Sequence, residues 1–298
     1  MDTTTNPTQA KRDIPINLFR PQAPLAMTLV STKRLTPEDH PSDVRHLVLE
    51  YTEGAFRYLE GQSIGVIPPG TSEAGKPHQL RLYSVASKRA GDDGQGHSVS
   101  FCVKRVRYTD PESGEERLGI TTNYLCDLEP GAEIATTGPV GRTFLLPEDP
   151  TIPLVMIATG TGVAPFRAFW EQLAATPSQA PRDVWLFFGV PTSAEILYHD
   201  EIRHLVDSGA LKLSLAISRE QQTADGKRVY VQHRLAEHAD AIWPLVAERQ
   251  AIVYLCGIKG MEKGVEEAFA DMAHRHGADW EAMLPALKKA HRWHAETY

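Results

Sequence analysis

Three cysteines in 298 residues is little sulfur. Cys102, Cys126 and Cys256 lie far apart and form no Cys-x-x-Cys pair, so a disulfide framework and a four-thiolate iron–sulfur cluster are both excluded. Any iron–sulfur chemistry has to belong to a partner. The 12 histidines show no His-Glu-x-x-His or other ligand spacing, and His274 and His276 in AHRHG read as helix-end residues before a glycine stop, so no metal is expected. No apolar run approaches the roughly 20 residues of a membrane span. The polar start MDTTTNPTQAKRD has no apolar core of the signal-peptide kind, and the expectation is a cytoplasmic protein without a transmembrane segment. An excess of positive charge is also missing: the net charge of -7 and pI near 5.9 argue against a nucleic-acid partner.

What is present describes an ordinary folded protein, 42% hydrophobic and 23% charged, long enough for two domains of common size. Residues 1–20, rich in Thr, Asn and Pro, read as a mobile arm. Over 21–148 short β-like runs (LAMTLVST, VRHLVLEY, QSIGVIPP, RLYSVAS, SVSFCVKRV, AEIATTGPV) alternate with turn clusters such as PPGTSEAGKP and TDPESGEE. The pattern predicts an antiparallel β-barrel or sandwich, interrupted by a short helix around TTNYLCDL. Three prolines in LLPEDPTIP mark the boundary. Over 149–298 the near-continuous apolar runs PLVMIATG, DVWLFFGV, LKLSLAIS and AIVYLCG read as strands buried on both faces. Amphipathic helices lie between them, and YVQHRLAEHADAIWPLVAE is expected as one helix kinked by Pro244. This predicts a doubly wound parallel α/β sheet, with its ligand beyond the carboxyl ends of the strands.

Four stretches carry possible chemistry. ATGTGVAPF places Gly160 and Gly162 at a strand-to-helix turn, where backbone N–H groups could receive a phosphate; a tight turn with a capped helix explains the same residues. Ser218 and Arg219, followed by Arg228 and Tyr230, suit a 2'-phosphate and an adenine, or are solvated loop groups. Cys256 closes a strand and by spacing alone is a buried core residue. In RLYS, alternation puts Arg81 and Tyr83 on one face and Ser84 on the other, so a shared site needs a bend or a large ligand crossing the edge.

Taken in order, GQSIGVIPPG, GKPHQLRLYSVAS, SVSFCVKRVRYTD, TTNYLCDLEPGAEI, TGPVGRTFLLP, IATGTGVAPFRAFW, LFFGVPTSAEILYHDE, AISRE, CGIKGMEKGVEEAF and the ending ETY resemble the plant-type ferredoxin–NADP reductases, from about Asn17 onward. The resemblance implies an FAD-binding barrel followed by an NADP-binding α/β domain. It places Arg81, Leu82, Tyr83, Ser84, Cys102, Val103, Lys104, Tyr108, Ile120, Thr121, Thr122 and Tyr298 at FAD. It places Lys104, Gly160, Thr161, Gly162, Val190, Pro191, Ser218, Arg219, Arg228, Tyr230, Gln232, Gly257, Ile258 and Glu296 at NADP(H). Ser84, Cys256, Glu296 and Tyr298 are implied at the reacting centre, with Tyr298 as a movable lid. Where the family usually has Cys-Ser, this chain has Thr121-Thr122; Arg228 stands where a lysine is common.

The activity implied is electron exchange between NADP(H) and a ferredoxin or flavodoxin, docked transiently by charge on cations drawn from Lys33, Arg34, Lys88, Arg89, Lys288, Lys289 and Arg292. Two alternatives remain open at this level: a reductase component serving another acceptor such as an oxygenase, and a redox-inactive nucleotide-binding regulatory module.

Overall fold

The computed structural model describes residues 12–52, 54, 56–72, 74–176 and 182–298. Most of the expected mobile arm, residues 1–11, lies outside the described residues. Residues 12–20 are pinned: the N–H of Asn17 donates to Pro139 O (2.9 Å), that of Phe19 to Gly138 O (3.1 Å), and the buried Gln62 side chain to Pro15 O (2.8 Å). Backbone groups left open beside a barrel wall take such partners because burial without them is costly.

The first unit is built from β1 (Leu25–Arg34), β2 (Val44–Glu50), β3 (Ser63–Ile67), β4 (Arg81–Ser84) and β5 (Ser98–Lys104), then the small hairpin β6 (Arg107–Thr109) and β7 (Glu116–Leu118), helix α1 (Ile120–Asp127) and β8 (Glu133–Val140). Six of these strands pair antiparallel in the order β4-β3-β8-β1-β2-β5. A bridge between Val85 and Phe101 joins the two edges, with the Ala86 N–H donating to Ser100 O (2.7 Å), and closes the barrel. Period-2 alternation fills its interior: Val99, Phe101 and Val103 of β5 meet Met27, Leu29, Leu47 and Leu49 in one buried cluster. Each such side chain contributes roughly 1.5–3 kcal/mol on burial. The β6–β7 hairpin occupies a stretch expected as a turn, because its three-residue strands are fully exposed and carry no alternation.

The second unit follows the order β9 (Leu154–Thr159), α2 (Ala164–Ala175), β10 (Val184–Val190), α3 (His199–Asp207), β11 (Lys212–Ile217), α4 (Val231–Glu237), α5 (Ala239–Ala247), β12 (Ile252–Gly257), α6 (Met261–Arg275), α7 (Trp280–Lys289) and β13 (Trp293–Thr297). All five strands are parallel, in the order β11-β10-β9-β12-β13. The chain winds from β9 outward to one side and then returns to β12 on the other. The crevice between β9 and β12 is therefore the topological switch point, where doubly wound sheets hold their ligands.

One helix expected over 230–248 is two. The break falls at His238, whose ring packs 5.1 Å from Trp185 and 5.8 Å from Phe187 and lies 3.2 Å from Ser214 Oγ. Pro244 instead stays inside α5. Phe144, just before the expected boundary, already packs in the second unit's core, 4.9 Å from Tyr254 and 6.1 Å from Phe169, and the Tyr254 hydroxyl donates to Leu145 O (2.6 Å).

Candidate active site

A cleft of about 1370 Å³ runs along the seam between the two units. Among the described residues ten large apolar side chains are exposed, and eight of them (Leu82, Val106, Tyr108, Leu118, Ile120, Tyr230, Ile258 and Tyr298) line this cleft. Apolar surface concentrated in one concavity and rimmed by polar groups marks a ligand site rather than ordinary exposure.

On the barrel side all four residues of β4 line the cleft. Alternation alone opposes Arg81 and Tyr83 to Ser84, but β4 is the last strand before closure and lies along the rim, so both faces meet the groove. The Arg81 guanidinium bonds only Gln79 Oε1 (3.0 Å) and Leu80 O (3.3 Å) and has no carboxylate partner among the described residues. Half-buried Tyr83 lies 5.8 Å from Phe101. Cys102 and Lys104 of β5 face the cleft, whereas Val103 between them turns into the barrel core. Helix α1 opens at Ile120 after Gly119 without a side-chain cap, which leaves its first N–H groups facing the cleft. The Thr122 hydroxyl is already committed, donating to Gly119 O (3.2 Å) and accepting from the Val106 N–H (3.2 Å). Thr121 and Thr122 thus offer backbone donors in preference to the Thr122 side chain.

On the α/β side, Thr159, Gly160 and Thr161 end β9 at the switch point. A single 3-10 turn, Gly160–Val163, leads into α2 with Pro165 in its first turn. A Cβ on Gly162 would lie 2.1 Å from Cys256 O, so only glycine lets the two chain segments pass. The Thr159 hydroxyl accepts from the Ile258 N–H (3.0 Å) and knits β9 to the end of β12. Val190, Pro191, Ser218, Tyr230 and Gln232 line the cleft farther along; Arg219 and Arg228 are exposed outside its lining. The N–H groups of Ser218 and Arg219 donate to Val190 O (2.9 Å) and Pro191 O (2.8 Å), which joins the ends of β10 and β11.

Cys256 and Glu296 stand at the same edge of the parallel sheet, outside the residues that line the cleft. These residues are register partners on β12 and β13. Cys256 is 1% exposed, and burial pushes its thiol up, with Glu296 adding to the shift and the Ser84 hydroxyl opposing it. Burial raises the Glu296 carboxyl to about 7. Cys102 is likewise raised, to about 12, mainly by burial. Cys102, which lines the cleft, and Cys256, buried beside it, are therefore neutral thiols near pH 7, suited to packing rather than to nucleophilic attack. Over this junction Tyr298, 59% exposed, is held by its backbone: its N–H donates to Gly257 O (3.0 Å) and its carbonyl accepts from the Lys259 N–H (3.1 Å). Its hydroxyl lies 2.7 Å from Thr161 Oγ1.

Residues 156–267 match the family model described as the oxidoreductase NAD-binding domain. The chain is 46% identical to the ferredoxin–NADP reductase of Spirulina over 97% of its own length and 100% of that protein's. The chain belongs to the ferredoxin–NADP reductase family. The chloroplastic leaf-type ferredoxin–NADP reductase of Nicotiana tabacum is 43% identical over 95% of this chain and 78% of its own. A mutant ferredoxin–NADP+ reductase from Plasmodium falciparum, solved with 2'P-AMP, superposes with a TM-score of 0.75 at 25% identity, covering 95% of this chain and 99% of that one.

Sequence reasoning missed several cleft residues of this family member, among them Lys76, Val106, Leu118, Thr159, Glu195 and Met261. Leu118 belongs to a hairpin too short to leave a pattern, and Val106 lies just before it. Thr159 could have been found, since a hydroxyl at a strand end just before a Gly-x-Gly turn is well placed to bond the neighbouring strand.

Proposed function

We propose that the chain transfers electrons between NADP(H) and ferredoxin, or flavodoxin, with FAD seated on the barrel side of the cleft. When bound, FAD supplies the conversion between two-electron hydride chemistry and one-electron transfer. The observation that carries this reading is the shared cleft: Ser84 of the barrel and Thr161 and Tyr298 of the α/β unit line it together, with Cys256 and its register partner Glu296 at the adjoining sheet edge.

The residues present fit both cofactors. Arg81, without a carboxylate partner among the described residues, and the open N-terminus of α1 suit a pyrophosphate, while Tyr83, Tyr108 and Tyr298 offer rings for flat heterocycles. The turn at Gly160–Gly162 suits the coenzyme's pyrophosphate, with Ser218, Arg219, Arg228 and Tyr230 toward its 2'-phosphate and adenine, and Gln232, Gly257 and Ile258 beside them. Cys256 and Ser84 act by alignment, excluding water and holding the two rings in register. Glu296, raised to about 7 by burial, is placed to hold or release a proton near neutral pH.

Several cations first considered for docking are engaged in the fold. Arg34 pairs with Glu38 and Asp43, Lys88 with Glu171, Arg89 with the buried Glu60, and Lys288 with Glu266; Arg292 donates to Ala251 O and Val246 O. An acidic carrier would meet instead Lys33, Lys289 and the cleft-edge Lys76. No described helix is long and apolar enough to cross a membrane, and the proposed setting is the cytoplasm.

The test is the flavin spectrum. The purified protein should be yellow and should bleach anaerobically with NADPH at least tenfold faster than with NADH. A colourless protein that does not retain added FAD would support the regulatory reading, and equal rates with both coenzymes would overturn the 2'-phosphate assignment.

A further inference from the structure

Arg167 is a charged residue in the first turns of α2, yet it is 6% exposed. Its guanidinium serves both units at once. Toward the barrel, Nη1 donates to Ala86 O (2.8 Å) and to Asp92 Oδ1. Toward its own unit, Nε and Nη2 donate to Glu201 (2.9–3.2 Å) and Nη2 to Glu171 Oε1 (3.0 Å). The group also lies 5.0 Å over the Tyr198 ring. His46 on β2 completes a ring of contacts, with Nδ1 3.0 Å from Tyr198 Oη and Nε2 3.2 Å from Asp92 Oδ2. The tautomer consistent with both takes the phenol proton at Nδ1 and donates from Nε2. The circuit Arg167–Asp92–His46–Tyr198 therefore crosses the seam twice. Around it Val44, Ala86 and Cys102 of the barrel share one buried cluster with Val163, Ala164 and Phe166 of the other unit.

The route from this cluster to the reacting centre is short at both ends. Ala86 lies two residues beyond Ser84, the last residue of β4. Arg167 lies five residues beyond Gly162, whose missing side chain lets it press against Cys256 O. Ser84 and Cys256 are thus the two ends of a path that runs through Ala86 O, the guanidinium and the first turn of α2. Only a planar fork with five donors can bond a carbonyl and a carboxylate on one unit and two carboxylates on the other; a lysine has three donors at one point.

We propose that Arg167 is a positioning residue for the reaction: it locks the segment just after β4 to the start of α2 and so sets how Ser84 stands against Cys256 across the seam. The inference rests on the function proposed above. Its test compares the FAD-loaded wild type with Arg167→Lys and Asp92→Asn by three readouts besides melting temperature. These are affinity for 2'-phospho-AMP, the change in flavin absorbance on adding NADP+, and the rate of bleaching by NADPH.

Affinity for 2'-phospho-AMP should stay within about twofold in Arg167→Lys, because the adenosine end of the site belongs to the α/β unit alone. The NADP+-induced flavin change should fall by more than half and the bleaching rate by on the order of tenfold to a hundredfold, as expected for a displacement near an ångström. Asp92→Asn keeps the shape and should repeat the pattern more weakly; it decides the matter if the lysine variant does not hold FAD. A flavin change and bleaching rate equal to wild type, or a fall in all three readouts together with the melting temperature, would overturn the inference. A wild type that NADPH does not bleach would overturn the function reading and this inference with it.

Discussion

Glu296 has no cation beside it among the described residues, and burial moves its carboxyl from the ordinary 4.5 to about 7. Between those values the folded protein keeps a proton that the unfolded chain has released, so stability falls as pH rises through the window and the loss is complete above about 7. The neighbouring Cys256 thiol, pushed up by its own burial, stays protonated throughout and adds no slope. Glu296→Gln removes the titration. In FAD-loaded protein without coenzyme it should flatten the stability–pH curve between about 5 and 7, and at pH 8 it should stabilise by roughly 1–3 kcal/mol relative to wild type. Urea unfolding at several pH values measures this. An unchanged slope would show that the carboxyl is fully hydrated.

Among the elements, the junction of β9, the Gly160–Val163 turn and α2 bears the tightest constraint. A methyl on Gly162 would meet Cys256 O at 2.1 Å and Cys256 C at 2.4 Å, both backbone atoms that cannot step aside. Gly162→Ala should therefore destabilise by about 2–3 kcal/mol, within the range for overpacking a rigid site, and weaken NADP+ binding more than tenfold. Wild-type stability with only a binding loss would mean that the turn moves freely.

The strands on either side of this turn were legible in the sequence because LVMIAT and IVYLCG are continuous apolar runs of strand length. The end of α4 was not. Helical periodicity runs unbroken from Tyr230 to Glu248, and Pro244 is the only local break signal, while the actual corner is set by His238 packing on Trp185, a contact from another strand. The hairpin of β6 and β7 left no signal either, since all six residues are exposed and none alternates.

At the scale of the whole molecule, the halves could be read from the change of grammar at the proline cluster, whereas only the family resemblance drew RLYS, GTG and the final ETY to one site. What joins the halves could not. Arg167 sits in PFRAFWEQLAA, where a single cation on an amphipathic helix reads as a solvated residue, and only the fold brings Asp92, His46 and Tyr198 to it. The proposed site draws on both units, because Ser84 belongs to the barrel and Cys256, Glu296 and Thr161 to the α/β unit. The most direct measurement is anaerobic mixing of catalytic amounts of the FAD-loaded protein with excess reduced ferredoxin and limiting NADP+. Two ferredoxins oxidised for each NADPH formed is the expected result, since a hydride carries two electrons and the carrier supplies one. Ferredoxin that stays reduced, with no NADPH formed, would contradict electron exchange across the seam.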